Sequence, residues 1–86
     1  MFIESQREYL KIVTETKTIL TRYLLAAVEK ALPPENFIRV HRSFIVARNK
    51  IDLFDASSIE IGKNEIPIGR SYKSYVLQAL GFKGTE

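Results

Sequence analysis

Residues 37–46 read Phe37-Ile38-Arg39-Val40-His41-Arg42-Ser43-Phe44-Ile45-Val46. Apolar and β-branched residues lie on both sides of the pair His41-Arg42, a pattern that favours two strands separated by a bend or loop. Residues 37–50 also carry four Lys or Arg side chains and no acid, a local charge of +4. Because such a charge attracts polyanions, the stretch predicts a strand pair that bears a positive surface.

On both sides of this stretch, the sequence pattern predicts more strands and two helices. Strands are expected at 2–3, 9–14, 18–21, 51–54, 58–61 and 65–68, with a loop at 5–8 and a turn at 15–17. Thr21 is expected to cap a central helix that ends before Pro33-Pro34, since neither proline donates a backbone N–H. Ser71 is expected to cap a last helix that Gly81 closes, and Pro67 predicts an edge strand. The fold class is therefore mainly β, with one central and one C-terminal helix.

The composition limits the classes of function. The 86 residues allow a single domain, 1–86, and 45% of them are hydrophobic, enough for a core. Cys is absent and His41 is the single histidine, so disulfides, thiolate sites and a zinc site are excluded and no cofactor is expected. No apolar run approaches the roughly 20 residues that span a bilayer, and the first residues do not resemble a signal peptide. We expect a cytoplasmic protein with no membrane partner.

Catalysis finds little support in the sequence. His41 and Ser43 lie two residues apart, and Asp52 or Asp55 would have to complete a hydrolase triad. The chain has no nucleophile elbow, no glycine-rich oxyanion turn and no phosphate-binding loop. A lone histidine is more often hydrogen-bonded in place than catalytic. The chain is therefore not expected to be an enzyme.

Basic side chains in three separate loops favour nucleic acid as the partner. Arg42 interrupts two strands, Arg70 lies where a strand gives way to a helix, and Arg7 lies in the first loop. Arginine can span guanine O6 and N7 in the major groove, and Lys, hydroxyls and helix N-termini bind phosphates. Two other interpretations stay open. Each arginine is a solvated surface charge, or the chain is a protein-interaction module with a basic face and an open β edge.

Some residues have structural interpretations of equal weight. Arg39 alternates with apolar neighbours, so a salt bridge to Glu35 or to a neighbour is as reasonable as a DNA contact. His41 is expected to orient Arg42 through a hydrogen bond rather than to touch a base. Tyr72, on the last helix, is expected to pack rather than to stack on bases.

The stretch at 37–46 also resembles a known signature. Followed by Ile51, it is similar to the core motif of the LytTR (LytR/AgrA-type) DNA-binding domain of bacterial response regulators. The flanking features that agree in order and spacing are Ile3-Glu4-Ser5 before residues 9–12, Leu32-Pro33-Pro34, and residues 66–72. The resemblance runs from Ile3 to Leu80, nearly the whole chain.

The resemblance implies a fold and a function. Such domains are elongated antiparallel β-structures whose loops enter successive major grooves of duplex DNA. They are output domains of two-component systems, regulate transcription under the control of a receiver domain, and bind repeated half-sites as dimers. The implied partners are double-stranded DNA, a second copy of the chain on repeated half-sites, and a receiver domain in the parent protein.

The resemblance also assigns residues. The side chains implied as DNA base contacts are Arg42, Arg70 and Arg7. The side chains implied as phosphate contacts, or as groups that orient the arginines, are Lys11, His41, Ser43, Asn49 and Lys73.

The chain departs from the family pattern in two ways. Ala47 stands where many members have Asn, so any contact made there is absent or taken over by Asn49. Family domains also begin earlier, with one more strand. The chain is therefore expected to lack that first strand and to expose a strand edge that pairs with another chain.

Overall fold

The computed structural model describes residues 1–81, so the last five residues of the expected domain lie outside the described residues. In this part of the chain there are eight strands, two α-helices and two short 3-10 turns. In chain order they are β1 Phe2–Gln6, β2 Tyr9–Val13, β3 Thr18–Thr21, α1 Leu25–Ala31, β4 Phe37–His41, β5 Phe44–Ala47, a 3-10 turn Arg48–Lys50, β6 Leu53–Phe54, β7 Ser58–Ile61, β8 Asn64–Pro67, a 3-10 turn Arg70–Tyr72 and α2 Lys73–Leu80. The expected class, mainly β with a central and a C-terminal helix, is confirmed.

The strands form two antiparallel sheets. One has the order β3-β2-β1-β5-β4 and the other the order β6-β7-β8. The molecule measures 42 × 24 × 22 Å along its principal axes, which is the elongated shape that the resemblance implies. Both helices of residues 1–81 fall short of the length and apolarity that a membrane crossing requires.

Alternation along the central strands gives the larger sheet a core on each face. Phe2 of β1 packs against the smaller sheet and against Val76 of α2. Ile3 points to the opposite face, because successive side chains of a strand alternate, and it packs against Leu25 of α1. The smaller sheet with α2 therefore covers one face and α1 covers the other.

The first loop is shorter than the sequence predicts. β1 continues through Ser5 and Gln6, and Gln6 is paired with Tyr9 of β2. Only Arg7-Glu8 remains as the turn, and Arg7 has a φ of 52°, the left-handed conformation that two-residue hairpin turns require. The predicted loop at 5–8 is therefore wrong for Ser5 and Gln6, which belong to β1.

Both expected helix caps are wrong. Thr21 stays in β3, where it pairs with Leu10, so α1 begins only after Leu24, which makes no side-chain capping hydrogen bond. Ser71 lies inside a 3-10 turn, so α2 begins at Lys73. The expected end of α2 is confirmed, since Gly81 adopts a φ of 80° there.

The open edges of the larger sheet lie at β3 and β4, whereas β1 is paired on both sides. Of the two edge strands, β3 exposes large apolar side chains: Ile19 is 40% exposed and Leu20 is 62% exposed. Pro67 lies in β8, an edge strand of the smaller sheet, as predicted.

Candidate nucleic-acid interface

The turn between β4 and β5 carries Arg42 on an exposed position. Two hydrogen bonds fix its backbone: the Ser43 N–H donates to His41 Nδ1 at 3.0 Å, and the Ser5 N–H of β1 donates to the Ser43 carbonyl at 2.8 Å. The His41 ring also packs edge-on against Phe44, with the ring centroids 5.5 Å apart. His41 therefore shapes the turn that bears Arg42 through its bond to the Ser43 N–H.

Arg39 lies beneath the same turn and is largely buried, with 14% of its side chain exposed. Its Nε donates to the His41 carbonyl at 2.9 Å and its Nη2 to the Arg42 carbonyl at 2.6 Å. Its Nη1 donates to Glu29 Oε1 of α1 at 2.7 Å, which completes a salt bridge. Arg39 therefore forms a salt bridge, as one of its two interpretations expects, but the partner is Glu29 of α1 and not Glu35.

The loop before α2 packs directly against this turn. The Gly69 N–H donates to the Val40 carbonyl at 2.8 Å. A Cβ on Gly69 would lie 3.0 Å from Tyr72 Cδ2 and 3.3 Å from His41 Cα, so the close approach needs a residue without a side chain. This contact brings Arg70, the next residue, alongside the turn that bears Arg42.

Arg42 and Arg70 consequently border one shallow depression, together with His41, Ser71 and Tyr72. Both arginines are exposed, and within residues 1–81 neither side chain has an ion pair or a hydrogen bond. The first residue of α2, Lys73, is exposed as well. Two guanidinium groups are therefore available to one ligand on one side of the molecule.

The third predicted loop lies at the same end of the larger sheet. Because β1 and β5 are antiparallel and Ser5 bonds to Ser43, the Arg7-Glu8 turn is next to the turn that bears Arg42. Arg7 is exposed. We call this end, formed by the turns at residues 7–8 and 42–43 and the loop at residues 69–72, the arginine end.

Arg22 is a basic residue beside the arginine end that the sequence analysis did not single out. It follows β3, and its guanidinium carbon lies 5.3 Å from the centre of the Tyr9 ring. It also faces Glu8 at 3.8 Å, and both side chains are more than 70% exposed, so the pair is weak. The hairpin register could have located it, since Thr21 opposite Leu10 places Arg22 beside Tyr9.

Two predicted residues lie away from the arginine end. Lys11 is half-buried as the third residue of β2 after the turn, and it is paired with Glu4 and Leu20. Asn49 is exposed in the 3-10 turn that follows β5. Because β5 runs away from the turn at 42–43, Asn49 lies at the opposite end of the sheet.

At the candidate pair His41 and Ser43, one nitrogen of the imidazole is bonded to the backbone. His41 Nδ1 accepts the Ser43 backbone N–H, so this nitrogen is not placed to take a proton from the Ser43 hydroxyl. Among residues 1–81, no three His, Asp or Glu side chains are close enough together to hold a metal ion.

The fold and the loops define a β-scaffold that presents basic side chains from the loops at one end. Compared with known families, residues 1–81 match the family model described as the LytTr DNA-binding domain. The chain belongs to the LytTR family, and the resemblance seen in the sequence is confirmed. LytTR is a family of DNA-binding domains and not of enzymes.

A solved structure supports the same family membership. The chain is similar to the LytTr DNA-binding domain of a protein described as a methyl-accepting/DNA response regulator from Bacillus cereus, with 32% identity and a TM-score of 0.85. The alignment covers 95% of this chain and 81% of that one. No curated protein matches the chain.

Proposed function

We propose that this chain is a sequence-specific duplex-DNA-binding domain that regulates transcription, as the output domain of a bacterial two-component response regulator working in the cytoplasm. One observation carries the proposal: Arg42 and Arg70 border the same depression, exposed and free of acidic partners within residues 1–81. A duplex can meet both guanidinium groups only when they share a side of the molecule. Membership of the LytTR family supports DNA as the ligand.

Each loop has a role in this proposal. Arg42, Arg70 and Arg7 reach base edges in the major groove, where a planar guanidinium can bond to both acceptors of a guanine. Lys73, Lys11 and the Ser43 hydroxyl bind phosphates, which adds affinity without sequence information. His41 orients Arg42. Asn49 lies at the opposite end of the sheet, so it can contact a phosphate only if the duplex extends along the molecule.

The test is selection of duplexes from a random library by the protein, with the bound fraction sequenced at two salt concentrations. We expect a motif to emerge at both, with an affinity that falls as salt rises because counterions are released from the phosphates. Enrichment of no sequence would contradict the proposal and would favour the protein-interaction module with a basic face.

The homodimer on repeated half-sites also belongs to the proposal, and the exposed edge strand β3 supports it. An open edge presents unpaired backbone groups to another strand, and Ile19 and Leu20 add apolar surface. Sedimentation over a concentration range, with and without the selected duplex, tests this. We expect two copies on a duplex with two half-sites, and a single bound copy under all conditions would contradict the dimer.

A further inference from the structure

We propose that Arg39 is the positioning residue that gives the Arg42 turn its recognition geometry without itself contacting DNA, an inference that rests on the proposed function. The guanidinium of Arg39 donates to the carbonyls of His41 and Arg42, at 2.9 and 2.6 Å. These two carbonyls belong to the residues that lead into and form the tip of the turn. Arg39 thereby holds the backbone from which the Arg42 side chain extends.

The guanidinium of Arg39 already has an acidic partner within the protein. Glu29 lies 2.7 Å from Nη1, and only 14% of the Arg39 side chain is exposed. A phosphate would have to displace this carboxylate to reach the guanidinium. Arg39 therefore differs from Arg42 and Arg70, whose guanidinium groups are exposed and unpaired within residues 1–81.

Arg39 also connects the two arginine loops. Its guanidinium carbon lies 5.8 Å from the centre of the Tyr72 ring, in the loop that carries Arg70. One planar group thus touches helix α1 through Glu29, the turn through two carbonyls, and the second loop through Tyr72. Lysine cannot replace it, because an ammonium is a compact point charge and lacks the rigid fork that reaches the two carbonyls and the carboxylate together.

The test compares affinity for the selected duplex with affinity for a random duplex of equal length, at two salt concentrations. Arg39→Lys should lower target affinity by about 5- to 150-fold, the range of one base-reading contact, and leave random affinity and its salt slope unchanged. Equal losses on both duplexes, with a salt slope lowered by about one, would make Arg39 a phosphate ligand and overturn the proposal.

A second pair of variants keeps the test decisive if Arg39→Lys does not fold. Glu29→Ala removes the carboxylate that pairs with Arg39 Nη1, at an exposed position of α1. Glu35→Ala is the control: it removes an equal charge from a residue that has no ion pair or hydrogen bond within residues 1–81. We expect the target-to-random ratio to fall for Glu29→Ala and to stay unchanged for Glu35→Ala. An unchanged ratio in both would overturn the proposal.

A double-mutant cycle separates positioning from direct contact. If Arg39 acts through Arg42, the Arg39→Lys loss should largely vanish in an Arg42→Ala background and persist in an Arg7→Ala background, since coupled residues are not additive. Full additivity with Arg42 would contradict the inference. A wild-type chain that prefers no duplex sequence would instead contradict the proposed function, before any variant is compared.

Discussion

Arg42 and Arg70 at one end of the larger sheet, and Lys50 at the other end, differ in whether they have an acidic partner. At the arginine end, Arg42 and Arg70 are exposed and have no acidic partner within residues 1–81. At the opposite end, the turn between β2 and β3 carries Glu15, and the 3-10 turn after β5 carries Lys50. Lys50 Nζ lies 2.6 Å from Glu15 Oε2, so this cation has an acidic partner.

This contrast shows which cations are free to bind a polyanion. Net charge alone does not separate Lys50 from Arg42, since both lie in the acid-free stretch of residues 37–50. The folded chain separates them, because β5 carries the residues after Phe44 away from the turn and toward Glu15. A comparison of variants at the two ends therefore tests the proposed function more sharply than a count of charges.

The largest effect is expected from the arginines themselves. Arg42→Ala or Arg70→Ala should weaken binding to the selected duplex by about 1–3 kcal/mol and relax one base position each, because a bidentate contact to a base edge is lost. Lys50→Ala is the matched control at the opposite end and should leave target affinity unchanged. Titration of target and random duplexes measures both. Equal losses on the two duplexes for the arginine variants would remove their base-reading role.

The next largest effect is expected from two glycine variants. Gly69→Ala tests a close contact between loops, and Gly62→Ala tests a strained backbone conformation. Gly69→Ala adds a Cβ 3.3 Å from His41 Cα and should cost about 1–3 kcal/mol of unfolding free energy through overpacking. Gly62→Ala, at the opposite end beside Met1, has room but a φ of 60°, and should cost about 1–2 kcal/mol.

DNA binding then distinguishes the two glycine variants, although their stabilities are similar. At a temperature where both remain folded, Gly69→Ala should lower target affinity, because the two arginine loops are pushed apart. Gly62→Ala should bind the selected duplex like the wild type. If both variants bind equally well, the contact between Gly69 and the turn does not position the arginines.

Much of the arginine end could be predicted from the sequence. The alternation around His41-Arg42 placed Arg42 between two strands, and the change of period near Arg70 placed it before a helix. Both expectations depend on short-range patterns, which local sequence carries well. Asn49 could also have been located, because a residue a few positions beyond the turn must lie at the other end of its strand.

Other features depend on contacts between distant parts of the chain and could not be predicted. The bond from Gly69 to Val40 joins residues far apart in sequence, and the partner of Arg39 depends on how α1 packs on the sheet. Thr21 and Ser71 have suitable side chains for caps, but a side chain does not show whether its backbone is still paired in a strand or already in a 3-10 turn.

A smaller effect is expected from the first residue of α2. Lys73→Ala should weaken target and random duplexes alike and lower the slope of log affinity against log salt by about one, as the loss of one phosphate contact predicts. Lys63→Ala is the matched control, since Lys63 is also exposed but follows Gly62 in the β7–β8 turn, at the opposite end. A loss confined to the selected duplex would instead assign Lys73 to base recognition.

The smallest effect concerns the ion pair at the opposite end. The hydrogen bond from Lys50, followed by its charge, lowers the pKa of the Glu15 carboxyl. A carboxyl whose folded pKa is depressed adds stability above its unfolded pKa, and this contribution is lost as the pH falls through the folded value. Because both side chains are exposed, Lys50→Ala should lower the thermal midpoint only slightly near neutral pH, and the difference from wild type should vanish on acidification.

A difference that persists in acid would mean that Lys50 stabilises the fold through its packing and not through Glu15. A change in DNA affinity at neutral pH would mean that the two ends do not differ as the comparison requires.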